Sequence, residues 1–227
     1  MKIVRIHREG RTIILSFALM ILLMHIPIYM YAPLFVFIAT LVITAAMLAF
    51  VTYFFRNPVR VLDMDDPHLM VAPADGRVVV VEPVMENEYF HEERLQVSIF
   101  MSPFNVHANW YPIEGDVLES SHQKGRHRGA WLPKSSTENE RSLVVIKTPF
   151  NAIIALRQVA GAMARRIVTY AKQGDKAKRN EHLGFIKFGS RVDLYLPLNT
   201  EMLVGCGDHV RGNETLIARL IPEGKNK

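Results

Sequence analysis

Two kinds of residue are scarce in this sequence, and each scarcity limits what the protein can be. Cys206 is the only cysteine among 227 residues, so no disulfide can form within the chain, which suits a reducing compartment. No cluster of ligand residues surrounds it at a recognisable spacing, and we expect no metal site. Charge is also missing locally, because no Asp, Glu, Lys or Arg occurs between Thr12 and Phe55.

The uncharged stretch is long enough for two membrane helices. As a single helix it would extend about 66 Å, roughly twice the thickness of a bilayer core. Pro27 and Pro33 interrupt it, which predicts two apolar helices, Thr12–Ile26 and Leu34–Phe55, joined by a turn. Because the first of these is short, a shallow re-entrant hairpin is an alternative to two complete spans. A hairpin buried in a soluble core is a second alternative.

Basic residues at both ends of the stretch predict its orientation. A hairpin places these ends on the same side of the membrane, and the positive-inside rule makes that side the cytoplasm. We therefore expect residues 1–60 to form a membrane-associated helical hairpin and residues 61–227 a domain on the cytoplasmic face of the cell (inner) membrane. The net charge of +5 favours anionic lipid, and no nucleic-acid-binding motif accompanies it. The flanking basic residues are Lys2, Arg5, Arg8, Arg11, Arg56 and Arg60.

The remainder of the chain has the pattern of a β-rich domain. Leu95–Met101 and Val192–Leu196 alternate apolar and polar residues, as half-buried strands do. A weak internal repeat relates residues 174–183 to residues 207–216, with Gly, Asp, Asn, Glu and Leu in register. These turn-and-strand units are similar to those of lipoyl- and biotinyl-type barrel-sandwich domains. We therefore predict a mainly β, barrel-sandwich soluble domain after the apolar helical hairpin.

Four short elements carry chemistry when they are taken together. Each one alone is ordinary: an Asp-Gly turn, a histidine after a strand, a polar step before a strand, and a kink between two strands. In their order along the chain they resemble the short, membrane-associated, pyruvoyl-dependent phosphatidylserine decarboxylases, and they cover nearly the whole soluble part. The elements are Pro73-Ala74-Asp75-Gly76, Ser102-Pro103 with His107, Asn139-Glu140-Arg141 and Phe188-Gly189-Ser190.

The resemblance implies a zymogen that matures by autocatalytic cleavage. The Ser190 hydroxyl would attack the carbonyl of Gly189, and elimination would leave a β chain (1–189) and an α chain (190–227). The two chains would remain together as a heterodimer, alone or within a higher oligomer. The residue types suit this chemistry, since glycine leaves its carbonyl unshielded and serine is a weak nucleophile that needs a neighbouring base.

The resemblance also implies the reaction and its cofactor. A covalent pyruvoyl (pyruvate) group derived from Ser190 would form a Schiff base with phosphatidylserine, giving phosphatidylethanolamine and CO2 in phospholipid biosynthesis. His107 would be the general acid or base, because an ordinary histidine pKa of about 6.5 suits proton transfer near neutrality. Asp75 matches an aspartate needed for processing. Longer members have a second histidine where this chain has Trp110, so the residue that takes over its task stays open.

Two other functions are compatible with the sequence. One is decarboxylation of archaetidylserine. This substrate differs from phosphatidylserine only in its lipid tails and glycerol stereochemistry, and no feature of the sequence recognisably distinguishes them. A non-enzymatic, membrane-anchored adaptor with a lipoyl-like domain would stay in one piece, with Ser190 an ordinary strand residue. No lysine lies at an evident modified hairpin tip, which disfavours a swinging-arm carrier.

Overall fold

The computed structural model describes residues 4–125, 139–161, 166–187 and 190–222. The chain divides into two compact units, Met1–Val59 and Arg60–Lys227. Strands make up 42% of the described residues and helices 22%, and the helices form an apolar hairpin at the N-terminus. The predicted class, mainly β after a helical hairpin, is confirmed.

The first unit consists of two helices closed by a short ribbon. Helix α1 is Arg8–Tyr31 and helix α2 is Leu34–Phe54, while β1 (Val4–Ile6) pairs antiparallel with β2 (Arg56–Pro58). At 24 and 21 residues the helices extend about 36 and 32 Å, enough to cross a bilayer core of about 30 Å. Most of their apolar side chains are exposed, unlike those of a hairpin in a soluble core. Length and composition thus suggest membrane association.

Helix α1 is longer than the sequence predicts, and the expectation that Pro27 ends it is wrong. The helix begins at Arg8 and continues through Pro27 to Tyr31. Long apolar helices tolerate an internal proline because neighbouring groups and local adjustments satisfy the backbone that it disrupts. The helix ends instead at Tyr31, because Ala32, which precedes Pro33, is extended, with φ −98° and ψ 154°. A short first helix, which favoured the re-entrant alternative, is therefore not observed.

The second unit is built from short and medium strands. In chain order they are β3 (Leu69–Val71), β4 (Gly76–Glu86), β5 (Glu92–Met101), β6 (Ala108–Trp110), β7 (Gly115–Gln123), β8 (Arg141–Lys147), β9 (Ile153–Ala160), β10 (Arg166–Thr169), β11 (Lys176–Ala177), β12 (His182–Lys187), β13 (Ser190–Leu196), β14 (Glu201–Met202), β15 (His209–Val210) and β16 (Leu216–Arg219).

The largest sheet has the strand order β11-β7-β8-β9-β13-β5-β4-β15 and curls into a half-barrel. Two smaller sheets, β10-β12-β6 and β14-β16-β3, complete the unit. Strand β13 lies near the centre of the large sheet and pairs antiparallel with β5 and β9. One of its faces carries Val192 and Leu194 into the main apolar core, and the two-residue period of a strand places Ser190 on the same face.

The internal repeat noticed in the sequence is a structural repeat. Gly174 and Gly207 both have positive φ, +88° and +103°, and so do Asn180 and Asn213, at +67° and +57°. In each copy the first turn leads into a two-residue strand, β11 or β15, which pairs with the start of a long strand, β7 or β4. The two asparagines are hydrogen bonded to each other, as Asn213 Nδ2 donates to Asn180 Oδ1 at 2.7 Å.

Candidate active site

Ser190 is the first residue of β13 and lies between two neighbouring strands. It pairs with Met101 on β5 and with Ala160 on β9, and its side chain is fully buried. The hydroxyl donates to Met101 Sδ at 3.2 Å. Phe188 and Gly189, the other residues of the predicted cleavage motif, lie outside the described residues.

His107 is buried immediately before β6, beside the strand that leads towards Ser190. Its carbonyl accepts a hydrogen bond from the Ile186 N–H at 3.2 Å, and Ile186 belongs to β12. Its Nδ1 is 2.9 Å from the carbonyl oxygen of Asn105. Because a carbonyl oxygen only accepts, Nδ1 carries a proton, and the lone pair of the neutral ring is on Nε2. The tautomer is thus the one in which Nε2 can act as a base.

Asp75 is held by an ion pair at the turn before β4. Arg60 grips the carboxylate with both terminal nitrogens, Nη1 on Oδ1 and Nη2 on Oδ2, the latter at 2.9 Å. The Gly212 N–H also donates to Oδ1, at 2.8 Å. The carboxylate is nearly buried, so this bidentate pair and the backbone N–H replace the water that it would otherwise bind.

Trp110 contacts the same arginine. The Arg60 guanidinium lies 5.0 Å from the centre of the Trp110 ring, and the backbone N–H of Trp110 donates to the Pro73 carbonyl at 2.9 Å. The aspartate therefore meets an arginine stacked on tryptophan at this place. Among the described residues, the Asp75 carboxylate bonds to Arg60 and the Gly212 N–H and the Ser190 hydroxyl bonds to Met101 Sδ, so these side chains do not form a direct relay through His107.

The large sheet brings the aspartate turn close to Ser190 across one strand. Arg77 pairs with Phe100 on β5, so Gly76 lies level with Met101, the partner of Ser190. With strands about 4.8 Å apart, the backbones of Gly76 and Ser190 are about 10 Å apart. The turn that carries Asp75 and the start of the strand that carries Ser190 are thus separated by one strand, β5.

The Asn139-Glu140-Arg141 element also reaches this region. Asn139 Nδ2 donates to the carbonyl of Ala160 at 2.6 Å, and the Ala160 N–H donates to the Glu140 carbonyl at 2.9 Å. Ala160 is the strand partner of Ser190. The element therefore fixes the end of β9 where β9 borders the serine.

A buried polar network beside Ser190 was not identified from the sequence. Asn109 Nδ2 points at Met101 Sδ, 3.8 Å away, and Asn109 Oδ1 accepts from Gln158 Nε2 at 2.7 Å. Gln158 Oε1 in turn accepts from the hydroxyls of Ser142 and Thr169 at 2.8 and 2.9 Å. The available signal was a glutamine at an inward position of the strand that ends at Ala160, since buried amides need partners.

The opposite face of β13 carries a separate set of charges. Arg157 binds both Glu86 and Glu88 at 2.7 Å, and its guanidinium contacts the Tyr195 hydroxyl. These residues line a cavity of about 590 Å³. Burial acts to raise the pKa of Glu86, but three backbone N–H donors and the charge of Arg157 outweigh it and leave that pKa below its ordinary value. Burial raises the pKa of Tyr195.

Comparison with known proteins identifies the family. The family model for phosphatidylserine decarboxylase matches residues 47–218, which is more than half of the chain. The chain therefore belongs to the phosphatidylserine decarboxylase family, and it is a carboxy-lyase by that membership. The resemblance drawn from the four motifs is confirmed, and the non-enzymatic adaptor is the wrong alternative.

Curated relatives match almost from end to end. The chain is 51% identical over 221 residues to the phosphatidylserine decarboxylase proenzyme of Bacteroides thetaiotaomicron, covering 97% of each chain. It is 49% identical over 221 residues to that of Bacteroides fragilis, again with 97% of each chain covered. It is 45% identical over 215 residues to that of Cytophaga hutchinsonii, covering 94% of this chain and 97% of the relative.

Proposed function

We propose that this chain is a proenzyme that cleaves itself between Gly189 and Ser190 and then decarboxylates phosphatidylserine at a membrane surface. The observation that carries the proposal is the position of Ser190, a fully buried serine at the start of a central strand. A serine hydroxyl there is shielded from water, so its attack on the neighbouring carbonyl does not compete with hydrolysis.

In the proposed cleavage, His107 is the base and Ser190 the nucleophile. His107 Nε2 takes the hydroxyl proton, Oγ adds to the Gly189 carbonyl carbon, and the C–N bond breaks to give an ester and an amine. Loss of the proton on the Ser190 Cα then expels the Gly189 carboxylate and leaves a dehydroalanine. One water adds to that residue and one ammonia leaves, which produces the pyruvoyl cap. The proton on His107 Nδ1 leaves Nε2 free to accept a proton, which supports the assignment of His107 as the base.

The residues around position 190 fit a small carbonyl group. The site is buried; the Met101 sulfur accepts from the Ser190 hydroxyl at 3.2 Å, and the Asn109 amide points at the same sulfur from 3.8 Å. The bound pyruvoyl group supplies the electron sink that carbon dioxide loss requires. His107 delivers a proton to the former α-carbon of the substrate, and the buried surroundings keep water away from that carbon until it is protonated.

Asp75 has its proposed role in processing, through the pair it forms with Arg60. The two residues fix the turn before β4, one strand away from Met101 and two from Ser190. By fixing this turn, the ion pair would help to keep the neighbouring strands in the register that aligns the serine. Asp75 would thus act by shaping the cleavage site.

The two chains produced by cleavage would stay together. The α chain would begin at β13, which is hydrogen bonded along its length to β5 on one side and β9 on the other, both in the β chain. The apolar hairpin would keep the domain at the cytoplasmic face of the inner membrane, where its lipid substrate lies. Basic residues at both hairpin ends favour this orientation and anionic lipid.

The test is an intact mass of the purified full-length protein, with and without hydroxylamine. We expect two chains, residues 1–189 and 190–227, the second of which reacts as a carbonyl. Ser190→Ala should give one intact chain that releases no CO2 from phosphatidylserine vesicles. A single unreactive chain of 25.9 kDa from the wild type would overturn the proposal. Archaetidylserine vesicles assayed in parallel would show whether the enzyme distinguishes the lipid tails.

A further inference from the structure

We infer that Asp193, with Ser98 and Arg191, anchors the start of β13 and so holds residue 190 in place once the chain has been cut. The inference rests on the proposed self-cleavage and assigns a residue whose effect is on the mature enzyme. Asp193 is a positioning residue, because it acts on the substrate through residue 190 and not by contact.

Strand β13 is buried on both faces, and only one of them is apolar. Val192 and Leu194 on one face enter the main core. The alternating positions on the other face hold Arg191, Asp193 and Tyr195, all of which are buried. A buried charge is costly unless it is paired and hydrogen bonded. The geometry of that pairing therefore decides how the start of β13 is held.

Arg191 and Ser98 bind the Asp193 carboxylate from two directions. Along the strand, Arg191 Nε lies 2.8 Å from Oδ1 and Nη2 lies 3.3 Å from Oδ2. Across the sheet, Ser98 Oγ donates to Oδ1 at 2.6 Å, and Ser98 lies directly opposite Asp193 in the register of β5 and β13. A carboxylate only accepts, so the Ser98 proton is in this bond. The Ser98 oxygen is left to accept from Gln96 Nε2, at 2.8 Å.

The bond between Ser98 and Asp193 would join the two chains that cleavage produces. Ser98 would belong to the β chain and Asp193 to the α chain. A second contact of this kind lies further along the strand, where the Arg157 guanidinium meets the Tyr195 hydroxyl. Arg191, the residue next to the new chain end, is bound by the carboxylate that Ser98 holds. The start of the α chain is thereby connected to β5 by a side-chain bond as well as by strand pairing.

Cleavage would remove other supports of residue 190. In the uncut chain this residue is covalently joined to the residues before it, whereas afterwards it is the first residue of a chain. Chain ends fray unless they are tied down. Conversion to the pyruvoyl group also removes the backbone nitrogen of residue 190 as ammonia, and with it the N–H donor that the residue had. Neither change touches Asp193 or its partners, so we expect the mature enzyme to depend on them more than the uncut chain does.

The principal test is Ser98→Ala, which removes the hydroxyl from Asp193 and leaves the pair with Arg191. Ser120→Ala is the matched control, because the Ser120 hydroxyl bonds to the Ala171 carbonyl within the same proposed chain. We expect Ser98→Ala to cleave itself within about twofold of the wild-type rate, since the uncut chain holds residue 190 covalently. Its kcat on phosphatidylserine vesicles, per reactive carbonyl, should fall about tenfold with KM nearly unchanged, because a carbonyl held less firmly is aligned less often.

Hydrogen exchange separates an anchor for the chain end from an ordinary buried contact. Ser98→Ala should raise amide exchange at residues 191–194 about tenfold in the mature enzyme and by much less in the uncleavable Ser190→Ala chain. Equal increases in the two forms would show that the bond supports the strand whether or not it has been cut, and would overturn the inference. Slower self-cleavage with unchanged turnover per reactive carbonyl would overturn it as well.

A second variant covers the case in which Ser98→Ala does not fold. Ser98→Cys fills the same space with a thiol, which is a weak donor, so the same pattern should appear with a smaller loss of kcat, about threefold. Wild-type turnover and wild-type exchange in Ser98→Cys would contradict the inference. If the wild type itself never cleaves, the proposed function fails; if it cleaves and these variants behave as it does, the inference fails and the proposed function stands.

Discussion

The turn that carries Asp75 has a counterpart elsewhere in the domain, and the two differ in one respect that bears on function. Asp75-Gly76 begins β4, and Glu114-Gly115 begins β7. In both copies the residue two positions after the glycine exchanges hydrogen bonds with a Gly-Asp turn. Val78 exchanges them with residues 207 and 208, and Val117 with residues 174 and 175, at 2.8 and 2.9 Å in each case.

The two glycines are required for the same reason. A Cβ on Gly76 would overlap the Phe100 carbonyl oxygen, and a Cβ on Gly115 would overlap the Lys147 carbonyl oxygen. Each glycine therefore lets its strand lie directly against a neighbour at the point where the sheet bends. The fold therefore requires glycine at this position in both copies of the repeat.

The acidic residues before the glycines are not equivalent. Asp75 is nearly buried and held by Arg60 and the Gly212 N–H, whereas Glu114 is exposed. Since the fold tolerates an exposed carboxylate at this position, burial of Asp75 is not needed to form the turn. We therefore propose that the burial of Asp75 serves the neighbouring serine site.

The largest effect on self-cleavage should come from neutralising Asp75, the buried one of the two acidic turn residues. Asp75→Asn keeps an oxygen for Gly212 but removes the charge that Arg60 binds. We expect self-cleavage to slow on the order of 10²-fold, the loss typical of a reacting group misplaced by about 1 Å. Intact mass over time measures it, and Glu114→Gln is the matched control with wild-type cleavage. Equal rates for the two variants would remove the functional distinction between the two turns.

The framework itself should respond symmetrically. Gly76→Ala and Gly115→Ala each force a methyl group against a carbonyl oxygen, which we expect to lower the free energy of unfolding by about 3 kcal/mol. For a domain of this size that corresponds to a melting temperature lower by about 10 °C. Full-length protein in detergent, with Ser190→Ala to keep one covalent form, would be melted for both variants. Loss of stability in only one variant would show that the two turns are not structurally equivalent.

Local patterns in the sequence were sufficient for some of these features. The Gly-Asp repeat and the strands β5 and β13 follow from turn chemistry and two-residue alternation, which act over neighbouring residues. Arg60 was read only as a flanking basic residue, because its pairing with Asp75 depends on how the chain folds back across 15 positions. The Asn109–Gln158 bond joins two different sheets, and no local pattern records it. Pro27 was misread because a helix in apolar surroundings can absorb a proline.

A smaller effect should separate the charge of Asp75 from the geometry of its partner. Arg60→Lys keeps a positive charge but cannot grip both carboxylate oxygens or stack on Trp110 in the same way. We expect a loss of about 2 kcal/mol in this interaction, seen as cleavage about 30-fold slower. Arg211→Lys, an exposed arginine in the turn nearby, is the control for the substitution. Unchanged cleavage in Arg60→Lys would mean that charge alone, without the bidentate contact, is sufficient.

The smallest effect should distinguish the two asparagines of the repeat. Both have positive φ, which glycine adopts without strain, so Asn180→Gly and Asn213→Gly keep the backbone and remove only side-chain hydrogen bonds. Both variants lose the bond between the two asparagines. Asn213→Gly also removes the bond from a fully buried side chain to the Arg60 carbonyl, at 3.0 Å, whereas Asn180→Gly also removes the bonds of an exposed side chain to Leu62. A hydrogen bond within a buried site contributes about 1 kcal/mol and an exposed one less.

We therefore expect Asn213→Gly to lower the melting temperature by about 3 °C and to slow cleavage several-fold, and Asn180→Gly to change both by less. The reason is positional: Asn213 supports the backbone of the residue that holds Asp75, so the asymmetry between the two turns should extend to the residues that support them. Melting of the Ser190→Ala proteins and cleavage of the otherwise wild-type ones would measure the two quantities separately. Equal losses in both variants would confine the asymmetry to Asp75 and Arg60.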